Sequence, residues 1–220
     1  MSSAQSTANN SNNTFDLVIA GGGMTGAMLA LQITRQLPHL RIAIVEQQSA
    51  EQQGAEPAAQ HTTSFDSRSI ALSAGSVALL ARWGLWPELK PHACAIEHIQ
   101  VSDRGHFGKT RLSAQKEHID ALGYVITARD IESYVANLVS KAGIDLISPA
   151  RVIGLISGDQ EICANIKQNT HSLNLSAKLL VGADGGLSSV RQLLDINQLI
   201  TDYGQTALIT SVKSTIPNNN

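Results

Sequence analysis

Apolar residues in this chain fall in short runs separated by glycine, proline and polar turns, and the spacing inside each run predicts its element. Phe15–Ala20 (FDLVIA) is compact, apolar and rich in β-formers, which predicts a buried strand. Met24, Ala27, Met28 and Leu31 recur at i, i+3, i+4 and i+7, one face of a helix. Arg41–Val45 (RIAIV) predicts a second strand. Ser69–Leu72 predicts a short strand, followed by a helix with Ala74, Val77, Ala78 and Ala81 on one face, running up to Trp83. Gly84 is placed to cap it, and Leu85–Lys90 predicts one more turn before Pro91.

Ile96–Ser102 alternates apolar and polar residues and predicts a strand. Asp103-Arg104-Gly105 is a turn signal, and Phe107–Leu112 a return strand. Tyr124–Thr127 predicts another short strand. A helix over Asp130–Ala142 follows, with Thr127 and Asp130 both candidates for its cap and Gly143 as its stop. Ile144–Ile147 predicts a third core strand. Arg151–Ile156, Glu161–Ile166 and Ser172–Leu175 read as an antiparallel meander with turns at Gly158-Asp159 and Asn169. Lys178–Val181 is a fourth apolar run, and a helix begins near Leu187 or Ser188 with Val190, Leu193 and Leu194 as its apolar positions. The class is therefore α/β: a parallel sheet joined to an antiparallel meander, with the central hairpin marking a second layer or subdomain.

Composition narrows the picture. With 220 residues and 43% hydrophobic content, the chain can bury the core of one large or two small domains. A net charge of −2 does not point to nucleic acid or an anionic membrane surface. Cys94 and Cys163 stand far apart without metal spacing, and the histidines form no ligand cluster, so no metal site is inferred. No apolar run reaches the roughly 18 residues of a membrane-spanning helix. The polar stretch before Phe15 lacks the apolar centre of a secretory signal, and its composition predicts a disordered tail in a cytoplasmic protein. Gln47–Asp66 reads as a long, mobile polar loop.

Two segments carry candidate chemistry. After the first strand, Gly21, Gly23 and Gly26 stand at G-x-G-x-x-G spacing and open directly into a helix. In such a unit the first glycine allows the turn, the second lets a pyrophosphate approach the backbone, and the third lets helix and strand pack closely. The helix N-terminus favours the phosphate charge. Glu46 ends the second strand, 20 residues after Gly26, where a carboxylate can accept hydrogen bonds from ribose hydroxyls. The second segment is Val181–Arg191 (VGADGGLSSVR), another strand, glycine turn and helix. There Asp184 is either a turn former or a polar group at the ligand-binding edge of a parallel sheet. By its chemistry alone Arg68 is a surface arginine able to bind a phosphate.

With these two motifs in this order, the chain resembles the class A flavoprotein monooxygenases, the p-hydroxybenzoate hydroxylase-like group. The resemblance implies a Rossmann-like FAD-binding domain and the beginning of a β-rich substrate domain. It implies that Asp184, Gly185 and Arg191 serve FAD and NADPH binding, and that Arg68 and Arg129 lie near FAD. Within the family, FDSRSIALSAGS and IQVSDRGHFG are similar to the ubiquinone-biosynthesis branch of 2-polyprenyl-6-methoxyphenol hydroxylases. The implied domains are a tail over 1–14, an FAD-binding domain over 15–95 and 124–198, and an incomplete substrate domain over 96–123 and 199–220. The implied reaction is aromatic hydroxylation: NAD(P)H reduces FAD, and a flavin hydroperoxide formed with molecular oxygen transfers one oxygen atom to a hydrophobic phenol. The cofactor carries that chemistry, so no catalytic side-chain set is expected. A polyprenylated substrate further implies contact with the inner-membrane surface or with a biosynthetic complex.

Members of the family are longer and carry a third motif, a Gly-Asp segment beside the flavin, beyond the point where this text ends. Tyr203–Val212 reads as the first strand leading into the substrate domain. One alternative is a truncated, non-catalytic FAD- or nucleotide-binding fragment. Another, a simple NAD-dependent dehydrogenase, fits Gly21–Glu46 but leaves GADGGLSSVR unexplained.

Overall fold

The computed structural model describes residues 13–48, 68–103, 105–206 and 215. In chain order the elements are β1 (Thr14–Ala20), α1 (Met24–Gln36), β2 (Ile42–Val45), β3 (Ser69–Ser73), α2 (Ala74–Arg82), α3 (Trp86–Leu89), β4 (Cys94–Ile96), β5 (His98–Ser102) and β6 (Lys109–Ser113). They continue with β7 (Gly123–Thr127), α4 (Ala128–Lys141), β8 (Asp145–Ile147), β9 (Ala150–Ser157), β10 (Ile162–Gln168), β11 (His171–Gly182) and α5 (Ser189–Leu193). The chain divides into two compact units, Met1–Ser64 with Val135–Ile200, and Phe65–Tyr134 with Thr201–Asn220.

The first unit is built on a six-stranded sheet in the order β8-β2-β1-β11-β10-β9. β8, β2, β1 and β11 run parallel, and β10 and β9 extend the sheet as an antiparallel meander. The central strand is apolar on both faces: Leu17, Val18, Ile19 and Ala20 are all buried. That is the signature of a parallel strand covered on both sides. α1 packs on β1 and β2 through its small buried residues, Gly26, Ala27 and Ala30, together with Leu31. Val18, Ala20, Ala43 and Val45 join Ile166, Leu175 and Val190 in a buried cluster. Each fully buried aliphatic side chain contributes on the order of 1.5–3 kcal/mol.

Two of the expected elements merge. Ser172–Leu175 and Lys178–Val181 belong to one strand, β11, spanning His171–Gly182. Its first half pairs antiparallel with β10 and its second half parallel with β1, and Ala177 is partnered on both sides, by Ile162 and by Phe15. The polar Ser176 and Lys178 interrupt the apolar pattern but not the backbone ladder, because ladder bonds do not depend on side-chain polarity. Ile144–Ile147, expected in the core, is an edge strand with Asp145 and Leu146 exposed. Thr14, expected in the tail, is the first residue of β1 and pairs with Ser176. Residues 1–12 and most of the expected 47–66 loop lie outside the described residues.

The second unit holds a three-stranded antiparallel sheet, β3-β7-β4, and a two-stranded sheet of β5 and β6. The single strand expected over Ile96–Ser102 is divided between β4 and β5 at Glu97, whose carbonyl accepts the Ala114 N–H. The helix expected from Ala74 is α2, capped at Ser73 through the Ser76 N–H. Its packed residue is Leu80, whereas Ala74, Ala78 and Ala81 are exposed. A leucine has more area to bury than the alanines that suggested the other face. Gly84, at φ +70°, ends α2, and the Leu85 N–H returns to the Leu80 carbonyl. Trp86 meets Tyr124 edge-to-face with ring centroids 4.8 Å apart. β7 pairs with both β3 and β4, and residues 68–134 fall in one compact unit. Tyr203–Val212, expected as a strand, has no regular element over 201–206, and 207–212 lie outside the described residues.

Candidate functional site

Three parallel strands of the first unit end together. Ala20 is in register with Val45 on one side and Gly182 on the other, so Gly21, Glu46 and Ala183 leave the sheet side by side at its carboxyl edge. Ladder bonds continue one residue past the strands. The Gly21 N–H donates to the Val45 carbonyl at 2.8 Å, the Ala183 N–H to Ala20 at 2.7 Å, and the Glu46 N–H to Ile147 at 3.0 Å. In open α/β sheets this edge is where ligands bind.

The glycines at this edge answer to different neighbours. Gly21 has φ +103°, and a Cβ there would lie 2.3 Å from the Ala183 carbonyl oxygen. It is required by both the turn and the second glycine segment packed against it. A Cβ on Gly26 would lie 2.0 Å from the Gly21 carbonyl oxygen, so α1 can approach the turn only without a side chain there. A Cβ on Gly23 would meet nothing within 4 Å. Gly23 is the N-cap of α1, no side chain caps that helix, and its first turn carries no acidic residue. The protein itself makes no demand for glycine at 23. The space beside it and the amides at the start of α1 fit a phosphate group.

Glu46 turns back towards this loop. Its Oε2 accepts the Gly22 N–H at 2.5 Å and its Oε1 accepts the Gln48 N–H at 2.8 Å. A carboxylate has about four acceptor positions, so two backbone bonds orient it and leave capacity for hydroxyl donors. Next to it lies a cavity of about 260 Å³ lined by Gln47, Pro149, Ala150, Arg151, Lys167 and Asn169.

Asp184 lies at this edge and is bonded within its own turn. Its Oδ1 accepts the Ser188 hydroxyl at 2.5 Å. Its Oδ2 accepts the Ser189 N–H at 2.7 Å, the Ser189 hydroxyl at 2.8 Å and the Val190 N–H at 3.2 Å. Burial pushes the Asp184 carboxyl up, but the bonds from Ser188, Ser189 and Val190 outweigh it and hold the group below the usual carboxylate range. Ser188 caps α5 through the Arg191 N–H at 3.0 Å. The Arg191 guanidinium folds back onto the Gly186 carbonyl at 2.8 Å. Gly185 turns at φ +81°. The roles of Ser188 and Ser189 were missed in the sequence, although two serines at a helix start are a capping signal. The Gly22 amide left no sequence signal at all.

Arg68 and Arg129 belong to the second unit. Antiparallel pairing of Ser69 with Thr127 brings both arginines to one end of the β3–β7 pair. The Arg68 carbonyl accepts the Ala128 N–H at 3.0 Å, and the side chains of both arginines are solvent-accessible. α4 starts at Ala128, two residues before the expected Asp130. The Asp130 N–H donates to Thr127 Oγ1 at 3.1 Å, and the Thr127 hydroxyl to Asp130 Oδ2 at 2.6 Å, so the two candidate caps act together. Among the described residues no group of three or more His, Cys, Asp or Glu could hold a metal ion, and no helix is long and apolar enough to cross a membrane.

The fold and this edge define a dinucleotide-binding α/β protein. More particularly, residues 14–216 match the FAD binding domain family, and the chain belongs to it. It is 31% identical over 210 residues to an uncharacterized protein of Synechocystis, slr1300, covering 94% of this chain and 47% of that one. It is 27% identical to the ubiquinone hydroxylase UbiL of Rhodospirillum rubrum, covering 90% and 43%. The 3-demethoxyubiquinol 3-hydroxylase of Escherichia coli is also 27% identical, covering 92% and 49%. The chain thus spans about half the length of the curated relatives it matches, their N-terminal half. Among solved structures, the anhydrotetracycline hydroxylase OxyS of Streptomyces rimosus superposes with a TM-score of 0.69 at 24% identity, covering 86% of this chain and 35% of that one. The p-nitrophenol 4-monooxygenase PnpA of Pseudomonas putida gives 0.66 at 18%, covering 83% and 44%. These two establish likeness of fold.

Proposed function

We propose that this chain is the FAD-holding part of a monooxygenase that hydroxylates a polyprenylated phenol in ubiquinone biosynthesis, with NAD(P)H as reductant and molecular oxygen as co-substrate. The observation that carries the reading is the meeting of Gly21–Gly26, Glu46 and Ala183–Gly186 at one sheet edge in a member of the FAD binding domain family. Named relatives that are ubiquinone hydroxylases support the substrate class.

In this reading the amides beside Gly23 take the pyrophosphate, and Glu46, already oriented by Gly22 and Gln48, accepts the adenosine ribose hydroxyls. The cavity beside Gln47 receives the adenine end. Asp184 acts through α5, holding the Gly185–Gly186 turn and Arg191 against the cofactor. The family resemblance adds Arg68 and Arg129 to the residues expected to serve the cofactor. FAD, when bound, supplies the redox and oxygen chemistry, and the protein's share is binding, orientation and exclusion of water. A lipid-soluble substrate places the working enzyme in the cytoplasm against the inner membrane or among biosynthetic partners.

Titrating FAD into the purified chain tests the cofactor. A shift of the flavin absorption bands at saturation is expected, and its absence would sink the reading. Phenol-dependent NAD(P)H oxidation tests the reaction. Because the chain spans less than half of its relatives, a second reading is a nucleotide-binding module without catalysis. That reading predicts the FAD shift without NAD(P)H oxidation by the 220-residue chain.

A further inference from the structure

The cavity beside Gln47 carries charge that the first unit leaves unbalanced. Arg151 of β9 and Lys167 of β10 are register partners, directly opposite each other, and both line the cavity. Both are exposed, and they adjoin Val152 and Ile166, which are buried in the core cluster. Lys167 is partnered on its other side by Ser172 of β11, also exposed. Arg151, Lys167 and Ser172 therefore form one row across three strands. Asn169, in the turn between β10 and β11 at φ +52°, adds an amide to the same cavity.

Like charges opposed across an antiparallel pair weaken the pairing. Elsewhere in this sheet exposed cations stand beside carboxylates, Lys178 beside Asp16 and Arg41 beside Asp145. Here none of the residues lining the cavity is acidic. Among the described residues neither Arg151 nor Lys167 takes part in an ion pair. Glu46 is bonded to the Gly22 and Gln48 amides. The adenine proposed for this cavity is neutral and brings no charge either.

The donors select the ligand. An arginine fork meets two oxygens of one group at once, and a lysine ammonium supplies a point charge. A hydroxyl and a side-chain amide complete the set with further donors. A doubly charged phosphate group answers both cations together, whereas one carboxylate answers a single charge.

We propose that Arg151 and Lys167, with Ser172 and Asn169 beside them, form an anion site for the phosphate group of a small soluble molecule, separate from the cofactor phosphates proposed at Gly23. The bound anion relieves the repulsion between β9 and β10. The proposal rests on the cation pair and the cavity, and it stands whether or not the chain takes FAD.

The test is thermal unfolding of the 220-residue chain without FAD, titrated with inorganic phosphate or ribose 5-phosphate at an ionic strength held constant with chloride. The midpoint is expected to rise with phosphate concentration, as linkage requires for a ligand of the folded state. A larger rise with ribose 5-phosphate supports the site as one for a phosphate ester, and a larger rise with inorganic phosphate supports it as one for the free anion. Phosphate also strengthens folds in general by exclusion from their surface, so two variants make the deciding comparison. Arg151→Gln and Lys167→Gln should each weaken phosphate binding about tenfold. Lys167→Gln should not lower the midpoint in phosphate-free buffer, since it removes a repulsion. Phosphate that stabilises the parent and both variants equally is bound elsewhere or excluded, and overturns the proposal. So does a midpoint indifferent to phosphate, or one raised as much by acetate at the same ionic strength. A parallel FAD titration separates the two readings. Phosphate stabilisation lost in the variants, with no flavin shift, keeps this site and removes the cofactor reading, and the opposite pair of results does the reverse.

Discussion

The two ends of the parallel strands in the first unit are built from opposite materials. At the amino edge, long charged side chains tie neighbouring strands together. Asp16 of β1 accepts the Lys178 ammonium of β11 at 2.7 Å and the Arg41 N–H at 2.9 Å. The Arg41 guanidinium bridges to Asp145 at 3.1 Å and to the Thr14 carbonyl at 3.0 Å, and lies 4.3 Å over the Phe15 ring. At the carboxyl edge side chains are withdrawn. Three glycines carry no side chain, Glu46 is bonded to the Gly22 and Gln48 amides, and Asp184 is bonded to the amides and hydroxyls of its own turn. Side-chain ties can form wherever the loops allow, but only a bare backbone admits a phosphate to within hydrogen-bonding distance. The amino edge is therefore tied by side chains, whereas the carboxyl edge gives up side-chain packing, as the proposed phosphate site requires.

The most damaging way to break this contrast is Gly26→Ala. The new Cβ would lie 2.0 Å from the Gly21 carbonyl oxygen, and α1 must move. A loss of about 3 kcal/mol is expected in urea denaturation, along with loss of FAD binding. Gly23→Ala sharpens the contrast. Its Cβ meets nothing within 4 Å and its φ of −65° suits alanine, so the urea midpoint should stay within about 0.5 kcal/mol of the parent. FAD affinity, read by flavin fluorescence, should nevertheless fall about tenfold or more, equivalent to about 1.4 kcal/mol. Equal affinity in that variant would remove the phosphate from this turn.

Asp184→Ala tests whether the aspartate works by holding α5. Loss of the cap should cost about 1 kcal/mol. The native carboxyl is held below the usual carboxylate range, so its contribution is complete above the unfolded pKa of about 3.9 and disappears as pH falls through the lower native value. The stability gap between parent and variant should be constant near neutrality and close only in acid. The smallest effect is expected at the amino edge. Lys178→Met removes an exposed ion pair, so less than about 1 kcal/mol should be lost, and less still at high salt. The hydrogen bond from Lys178 is the main reason the Asp16 carboxyl sits below its ordinary range. The loss should therefore again fade as pH drops through that range, and FAD affinity should not move.

The glycine spacing, the position of Glu46 and the periodicity of β1, α1 and β2 were legible in the text, because each depends on residues close in sequence. So were the caps at Gly84 and Gly143, and the meander turns. The identity of the packed face of α2 was not legible, since Leu80 is buried by neighbours that periodicity does not reveal. Nor was the continuity of β11, where Ser176 and Lys178 read as a break but the backbone pairs through them.

By itself, then, the sequence determined that a strand, a glycine turn and a helix would follow one another, with an acid some 20 residues on. The tertiary structure decided what each residue at that edge answers to. Gly21 is glycine because Ala183 presses on it from the end of a strand more than 160 residues away, a Cβ on Gly23 would meet nothing, and Asp184 anchors the start of α5. Those assignments depend on parallel register between β1 and β11, a long-range pairing that local pattern cannot express.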